Sequence, residues 1–381
     1  MLRERPEYAV NMRYTANTQR PMPVAPVSMP PSHATSDEHH LAVLDGWRGM
    51  SILCVLAAHL LPLGPSRFRL NSSVATLGMV MFFTLSGFLI TSTLLARPNV
   101  VDFLIRRFCR IVPLAWLYLI FALPLARVPW SHYLPLFFFF NNFPHFFFDP
   151  IDATFWSLCV EMQFYLFVAL LAAIFPRRWT VFVPLAALAV TLARVLTHTD
   201  ISILTWLRVD EILAGGILAI LVARRGRSEP TRKVVEQTVP DPVPTITMAG
   251  GQAARAMVFV AAMALLFVAC QPGSGWIAYL RPYLSAGMIG ITVFDPQRGL
   301  YALLRTRLLR FVASISYSLY VLHSTMMVGW FDPASKILKY ERRALGFPAL
   351  FLFAWVSTHF WETHWIAFGK AVIRRRHGRA S

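Results

Sequence analysis

The sequence predicts an all-α fold: a polytopic integral membrane bundle of about ten transmembrane helices with both termini in the cytoplasm. Three observations carry this expectation. Of 381 residues, 56% are hydrophobic and 14% charged, whereas a soluble domain is about 45–50% apolar and about 25% charged. Apolar runs such as "VFVPLAALAVTLA" (181–193) and "MVFVAAMALLFVA" (257–269) recur along the chain. The basic residues behind the net charge of +17 sit in short clusters between those runs, as cytoplasmic loops of membrane proteins do. A nucleic-acid groove would gather them into one stripe. The expected partner of this charge is therefore the lipid bilayer, with no nucleic acid.

Residues 1–40 are polar and Pro-rich and lack the apolar centre of a signal peptide. They read as a disordered cytoplasmic tail. The membrane domain is expected over 41–370. Its spans fall near 42–63, 74–96, 111–127, 155–175, 179–196, 203–223, 256–271, 275–294, 311–330 and 346–368. Residues 224–255 carry Pro240, Pro242 and Pro244 without an apolar period, so they read as a flexible cytoplasmic linker. Residues 371–381 read as a basic cytoplasmic tail. The segment "YLPLFFFFNNFPHFFF" (133–148) is apolar too, but it holds two prolines, two asparagines and a histidine. It also falls short of the roughly 20 residues that a span needs.

Charge orientation decides that case. If 133–148 stays outside, the clusters at 97–110, 177–178, 223–233, 298–310 and 370–379 all face the cytoplasm. The outer loops then keep only Arg67, Arg69, Arg127, Lys336, Lys339, Arg342 and Arg343. If it crosses, "ARRGRSEPTRK" (223–233) turns outward. The ten-span arrangement is the expected one.

Within the first span, "RGMSILCVLAAH" (48–59) places Arg48 and His59 at the ends of an apolar stretch. Eleven positions are close to three helical turns, so both project from nearly one face, about 16 Å apart along the axis. Ionisable residues inside a span point to function. The alternative is an arginine that snorkels to the inner interface and a histidine that caps the outer end. Cys54, Cys109, Cys159 and Cys270 lie singly in apolar surroundings. No metal site and no disulfide framework is expected from them.

The motifs around that stretch resemble the membrane acyltransferase 3 family. They are "LDGWRGMSILCVLAAH" (44–59), "FFTLSGFLI" (82–90), "RRFCRIVP" (106–113), "WSLCVEMQFY" (156–165), "RVDEILAGG" (208–216) and "SISYSLYVLH" (314–323). The resemblance implies an integral-membrane O-acyltransferase that uses acyl-coenzyme A, acetyl-coenzyme A first among candidates, as co-substrate and binds no resident cofactor. The acceptor it implies is a glycan or glycolipid at the cell surface, and the location is the inner (cytoplasmic) membrane. The family's arginine–ten residues–histidine motif falls on Arg48 and His59. An imidazole that stays neutral can take the hydroxyl proton as oxygen attacks a thioester carbonyl. Arg48 then holds a coenzyme A phosphate or orients a carboxylate such as Asp45.

The remaining motifs each carry a bland reading beside the functional one. Arg107 and Arg110, three apart on one helical face, either bind donor phosphates or anchor the helix at the inner interface. Ser86 and Gly87 either line the donor channel or let helices approach closely. Glu161 serves the acceptor or His59, or forms a salt bridge to Arg194 or Arg208. Arg208 and Asp210 either line the channel or neutralise each other, and Tyr317 and His323 either line the channel or fill the core. Glu362 stands where family members carry Glu-x-Pro, but the sequence there is Glu362-Thr363-His364, which weakens any role for it. A secondary transporter or flippase for a polar or lipid-linked substrate is the alternative class, since intramembrane Arg, Glu, Asp and His also build ion pathways. Inverted repeats and paired broken helices, which such transporters show, are absent from the sequence pattern.

Overall fold

The computed structural model describes residues 34–146, 148–236, 252–294 and 302–378, and among them the chain is helical with no strand. The helices are α1 (Ala34–Leu60), α2 (Leu70–Ala96), α3 (Val100–Leu125), α4 (Tyr133–Phe137), α5 (Trp156–Ile174), α6 (Trp179–Leu196) and α7 (Asp210–Glu236). They continue as α8 (Gln252–Ala269), α9 (Ile277–Phe294), α10 (Arg307–Ser314), α11 (Ser316–Leu322), α12 (Lys336–Val356) and α13 (Thr363–Gly378). Among the described residues, seven stretches are long and apolar enough to cross a membrane: Ala42–Leu60, α2, α3, α5, α6, α9 and the continuous Lys336–Gly378. The apolar part of α8, Ala256–Ala269, is shorter.

Lipid accounts for the outward-facing side chains. On α6, Leu185, Leu188, Leu192 and Leu196 form an exposed stripe at helical spacing, which would be costly in water and is neutral in hydrocarbon. The inner faces build two apolar clusters. One joins Phe83, Phe103, Phe155 and Phe164. The other packs Trp47 of α1 with Met288 and Ile289 of α9.

Helices α2 and α7 cross with backbone against backbone. A Cβ on Gly87 would lie 1.8 Å from the Ile212 carbonyl oxygen, and one on Gly215 would lie 1.9 Å from that of Thr84. Both positions need glycine because backbone meets backbone there. Gly87 thus serves packing, one of the two roles open to it from the sequence.

The described residues of segment 133–148 form only the short α4 followed by turns. Its two asparagines explain why. Asn141 and Asn142 are fully buried, and the Asn142 amide donates to Ile203 O at 3.0 Å and accepts from Gln163 Nε2 at 2.9 Å. Polar groups satisfied against α5 and the 203–205 turn hold the segment on the bundle.

Four expectations change. The span expected at 311–330 is broken into α10, α11 and two 3₁₀ turns, His323–Met327 and Gly329–Phe331. Serine and threonine hydroxyls that bond back to the chain (Ser314 to Phe311 O, Ser316 to Ala313 O, Thr325 to Leu322 O) bend it. Residues 224–236 of the expected linker continue α7, and 252–255 open α8, while 237–251 lie outside the described residues. The last span runs far beyond 346–368, because no proline interrupts 349–378 and a π turn at Ser357–Glu362 carries α12 into α13. The first 33 residues of the expected tail lie outside the described residues, and α1 already begins at Ala34.

Candidate functional site

His59 lies near the end of α1, half-buried, and its Nδ1 is 3.0 Å from Nε2 of His323. The two ring planes differ by 2°. His323, fully buried, follows the last residue of α11, and its Nδ1 is 2.6 Å from the Tyr320 carbonyl oxygen. A carbonyl only accepts, so His323 Nδ1 carries the proton. In the neutral ring Nε2 is then an acceptor, and His59 Nδ1 must be the donor. The partners thus assign His59 a lone pair on Nε2, and among the described residues nothing else bonds to it. A ring poised in that tautomer accepts a proton from outside the pair.

One turn of broken helix holds this arrangement. The Tyr320 hydroxyl donates to Thr154 O at 2.7 Å and contacts Ser157 Oγ at 2.5 Å. Ser324 Oγ meets Thr154 Oγ1 at 2.6 Å. On the other flank Arg343, two turns into α12, donates to the His59 carbonyl oxygen at 3.1 Å. Its second arm lies 3.5 Å from Asp332.

A second cluster gathers at the arginines. Arg48 faces Asp45 at 3.7 Å, and its charge interacts with those of Arg107, Arg110 and Glu161. Arg107 donates to Thr93 Oγ1 at 3.3 Å and lies over the Phe103 and Tyr165 rings. Arg110 lies 3.6 Å from Glu362. The buried Glu161 carboxylate accepts from Ser86 Oγ and, at 2.5 Å, from Tyr165 OH. The salt bridge from Glu161 to Arg194 or Arg208 does not form. Tyr317 donates to Ile111 O at 2.6 Å, which ties α11 to α3 beside Arg110.

The expected Arg208–Asp210 pair is also corrected. Arg208 pairs with Glu211 at 3.3 Å, Asp210 with Arg194 at 2.6 Å, and Arg281 with Glu211 at 3.1 Å. The i,i+3 spacing puts Glu211, not Asp210, on the Arg208 side of the helix start. Sequence reasoning left out Glu211 and Arg281, although a charge inside "YLRPYL" was itself a signal. It also discounted Glu362. The π turn aims that carboxylate inward, where it accepts from Ser318 Oγ at 2.5 Å and Thr358 Oγ1 at 2.9 Å. The π turn displaces Glu362 from the regular helix track.

Clustered arginines, a buried carboxylate and a histidine with a free ring nitrogen suit acyl transfer. The family model described as an acyltransferase domain matches residues 41–361. The chain belongs to the acyltransferase 3 family. The match runs from within α1 into the π turn of this acyltransferase and so contains His59, Arg48, Glu161 and His323, with Glu362 one residue past its end. No curated protein and no solved structure gives a match.

Proposed function

We propose that this membrane acyltransferase moves an acyl group, acetyl in the simplest case, from cytoplasmic acyl-coenzyme A to a hydroxyl of an exported or surface glycan or glycolipid. The observation that carries the reading is the His59–His323 contact at 3.0 Å, closed by the Tyr320 carbonyl. His59 Nε2 takes the proton from the acceptor hydroxyl as its oxygen attacks the thioester carbonyl. The C–S bond breaks, coenzyme A leaves as the thiolate or thiol, and the proton returns from imidazolium to sulfur or solvent. His323 fixes the tautomer and touches neither substrate. Arg48, Arg107 and Arg110 supply guanidinium groups for donor phosphates, and Glu161 is available to the acceptor or to the charge of Arg48.

This reading includes ten spans with both termini inside, in the inner membrane, so that donor and acceptor enter from opposite faces. A transfer assay on washed membranes with labelled acetyl-coenzyme A and a glycan acceptor tests it. Transfer that depends on His59 supports the reading. Membranes that move a polar substrate without consuming acyl donor would replace it with transport.

A further inference from the structure

The segment between α3 and α5 contains a group of side chains that the acyl-transfer site does not use. His132 ends the 3₁₀ turn Trp130–His132. Asp149 and Asp152 form the turn that leads into α5, with Asp152 N donating to Asp149 O at 3.0 Å. One donor atom from each of the three, a ring nitrogen and two carboxylate oxygens, lies within 4.8 Å of the other two. His132 Nδ1 is 3.2 Å from Asp149 Oδ2.

A second observation turns this cluster into a site. Asp152 is fully buried, and both of its carboxylate oxygens lack a hydrogen-bond partner. His132 Nδ1 and Asp149 Oδ2 make no hydrogen bond and have only each other, at 3.2 Å. Buried carboxylates are ordinarily satisfied by several donors, and one with none calls for an ion or water that completes it. Here the unpartnered Asp152 carboxylate lies within 4.8 Å of the His132–Asp149 contact. The Asp149 side chain is 38% exposed, which leaves an entrance from solvent.

We propose that His132, Asp149 and Asp152 bind one divalent transition-metal ion of the Zn2+ type. The donor set selects the class. Ca2+ and Mg2+ prefer oxygen throughout, whereas one imidazole with two carboxylates suits Zn2+. Bonds of about 2.0–2.2 Å to a tetrahedral ion put donor atoms about 3.3 Å apart. The His132–Asp149 edge already has that length, and rotation of the Asp152 carboxylate closes the others. Three protein ligands leave the fourth position to water.

The ion would fasten the start of the 133–148 segment to its end. Asp152 lies just before Thr154 and Ser157, which hold the Tyr320–Ser324 turn. The site is therefore a clamp on the corner that supports His323, and its test measures no acyl transfer.

The experiment uses the full chain, purified in detergent with a tag free of histidine and stripped with a chelator. Wild type should retain one Zn2+ equivalent more than Asp152→Asn after gel filtration, and its affinity should exceed that of the variant by at least about 100-fold. Adding Zn2+ should raise the thermal midpoint of wild type and leave that of Asp152→Asn unmoved. The stripped variant should be no less stable than stripped wild type, because the substitution removes an unpartnered buried carboxylate. His132→Gln provides the same comparison should Asp152→Asn not accumulate. Equal Zn2+ content in wild type and both variants, or stabilisation by Ca2+ or Mg2+ that ignores His132, would overturn the assignment.

Discussion

His59 and His323 stand 264 positions apart in the chain and meet ring to ring, Nδ1 to Nε2, at 3.0 Å. The contact forms because α1 ends beside a helix that has itself just ended. Carbonyls in the last turn of a helix lack helical partners, so the Tyr320 carbonyl is free to accept the hydrogen bond of His323 Nδ1–H. Everything about the proton inventory of His59 follows from that one carbonyl.

His323→Ala should therefore lower turnover by about 10–100-fold, the usual worth of a partner that orients a working histidine. The KM for acyl-coenzyme A should stay unchanged, since His323 touches no donor group in the proposed site. His323→Gln, which can still accept from His59, should recover part of the loss. A purely structural role predicts lower protein levels with an unchanged rate per molecule.

His59→Ala should cost more. A positioned general base contributes about 10²–10⁴-fold, read as the initial transfer rate at equal protein amount. Stability should fall only modestly, because the change orphans one buried acceptor, His323 Nε2, at about 1–3 kcal/mol. Arg48→Lys should also be impaired, since a point charge does not replace a planar two-pronged donor. Wild-type rates in both variants would return the pair to the role of interface anchors.

How much of this was legible follows from the range of each interaction. The Arg48–His59 spacing lies within one helix, so periodicity alone placed both residues on one helix face. The polar interruptions of 133–148 were visible, and they do keep it from forming a long helix. The His59–His323 contact was out of reach because it joins distant segments through the broken turn after α11. Its local signal, the serines of "SISYSLYVLHST", was present but read as an uninterrupted span. Charge pairing failed for a geometric reason: adjacent Asp210 and Glu211 leave a helix start in different directions, and sequence does not say which partner each meets. Gly87 was ambiguous by nature, since a close crossing and a lined channel both require a small residue.

Gly87→Ala should destabilise the fold without touching the chemistry. The new Cβ would meet the Ile212 carbonyl, and a backbone atom cannot rotate away as a side chain can. Overpacking of this kind costs about 1–3 kcal/mol, seen as a lower thermal midpoint in detergent. Specific activity of the surviving protein should remain near wild type. A normal midpoint with a raised donor KM would restore the channel-lining role.

The topology is open to cysteine labelling. His145, exposed in the 133–148 segment, should react as His145→Cys with an impermeant reagent from outside, and Arg177→Cys only from the cytoplasm. Replacing Cys54 removes the one native thiol that is not buried. The opposite pattern of access at these two positions would reverse the proposed orientation.

Arg110 has two claims on it, and they make different predictions. It lies 3.6 Å from Glu362, whose side chain is 1% exposed, while its own is 35% exposed. As a counter-ion it stabilises the π turn; as a donor ligand it meets phosphate through the exposed part of its guanidinium. Glu362 also accepts from Ser318 and Thr358, so it does not depend on Arg110 alone. Arg110→Gln should therefore raise the KM for acyl-coenzyme A by about 10-fold or more, as the loss of a charge-assisted hydrogen bond of about 1.5–3 kcal/mol implies. Glu362→Gln should leave that KM alone and lower the thermal midpoint. In the double variant the KM should remain high, because removing Glu362 does not replace the lost guanidinium. The counter-ion reading predicts the reverse: a donor KM unchanged by Arg110→Gln and a stability coupling of about 0.5–3 kcal/mol between the two positions. The KM of the double variant decides between them, since only a donor contact keeps it raised after the carboxylate is gone.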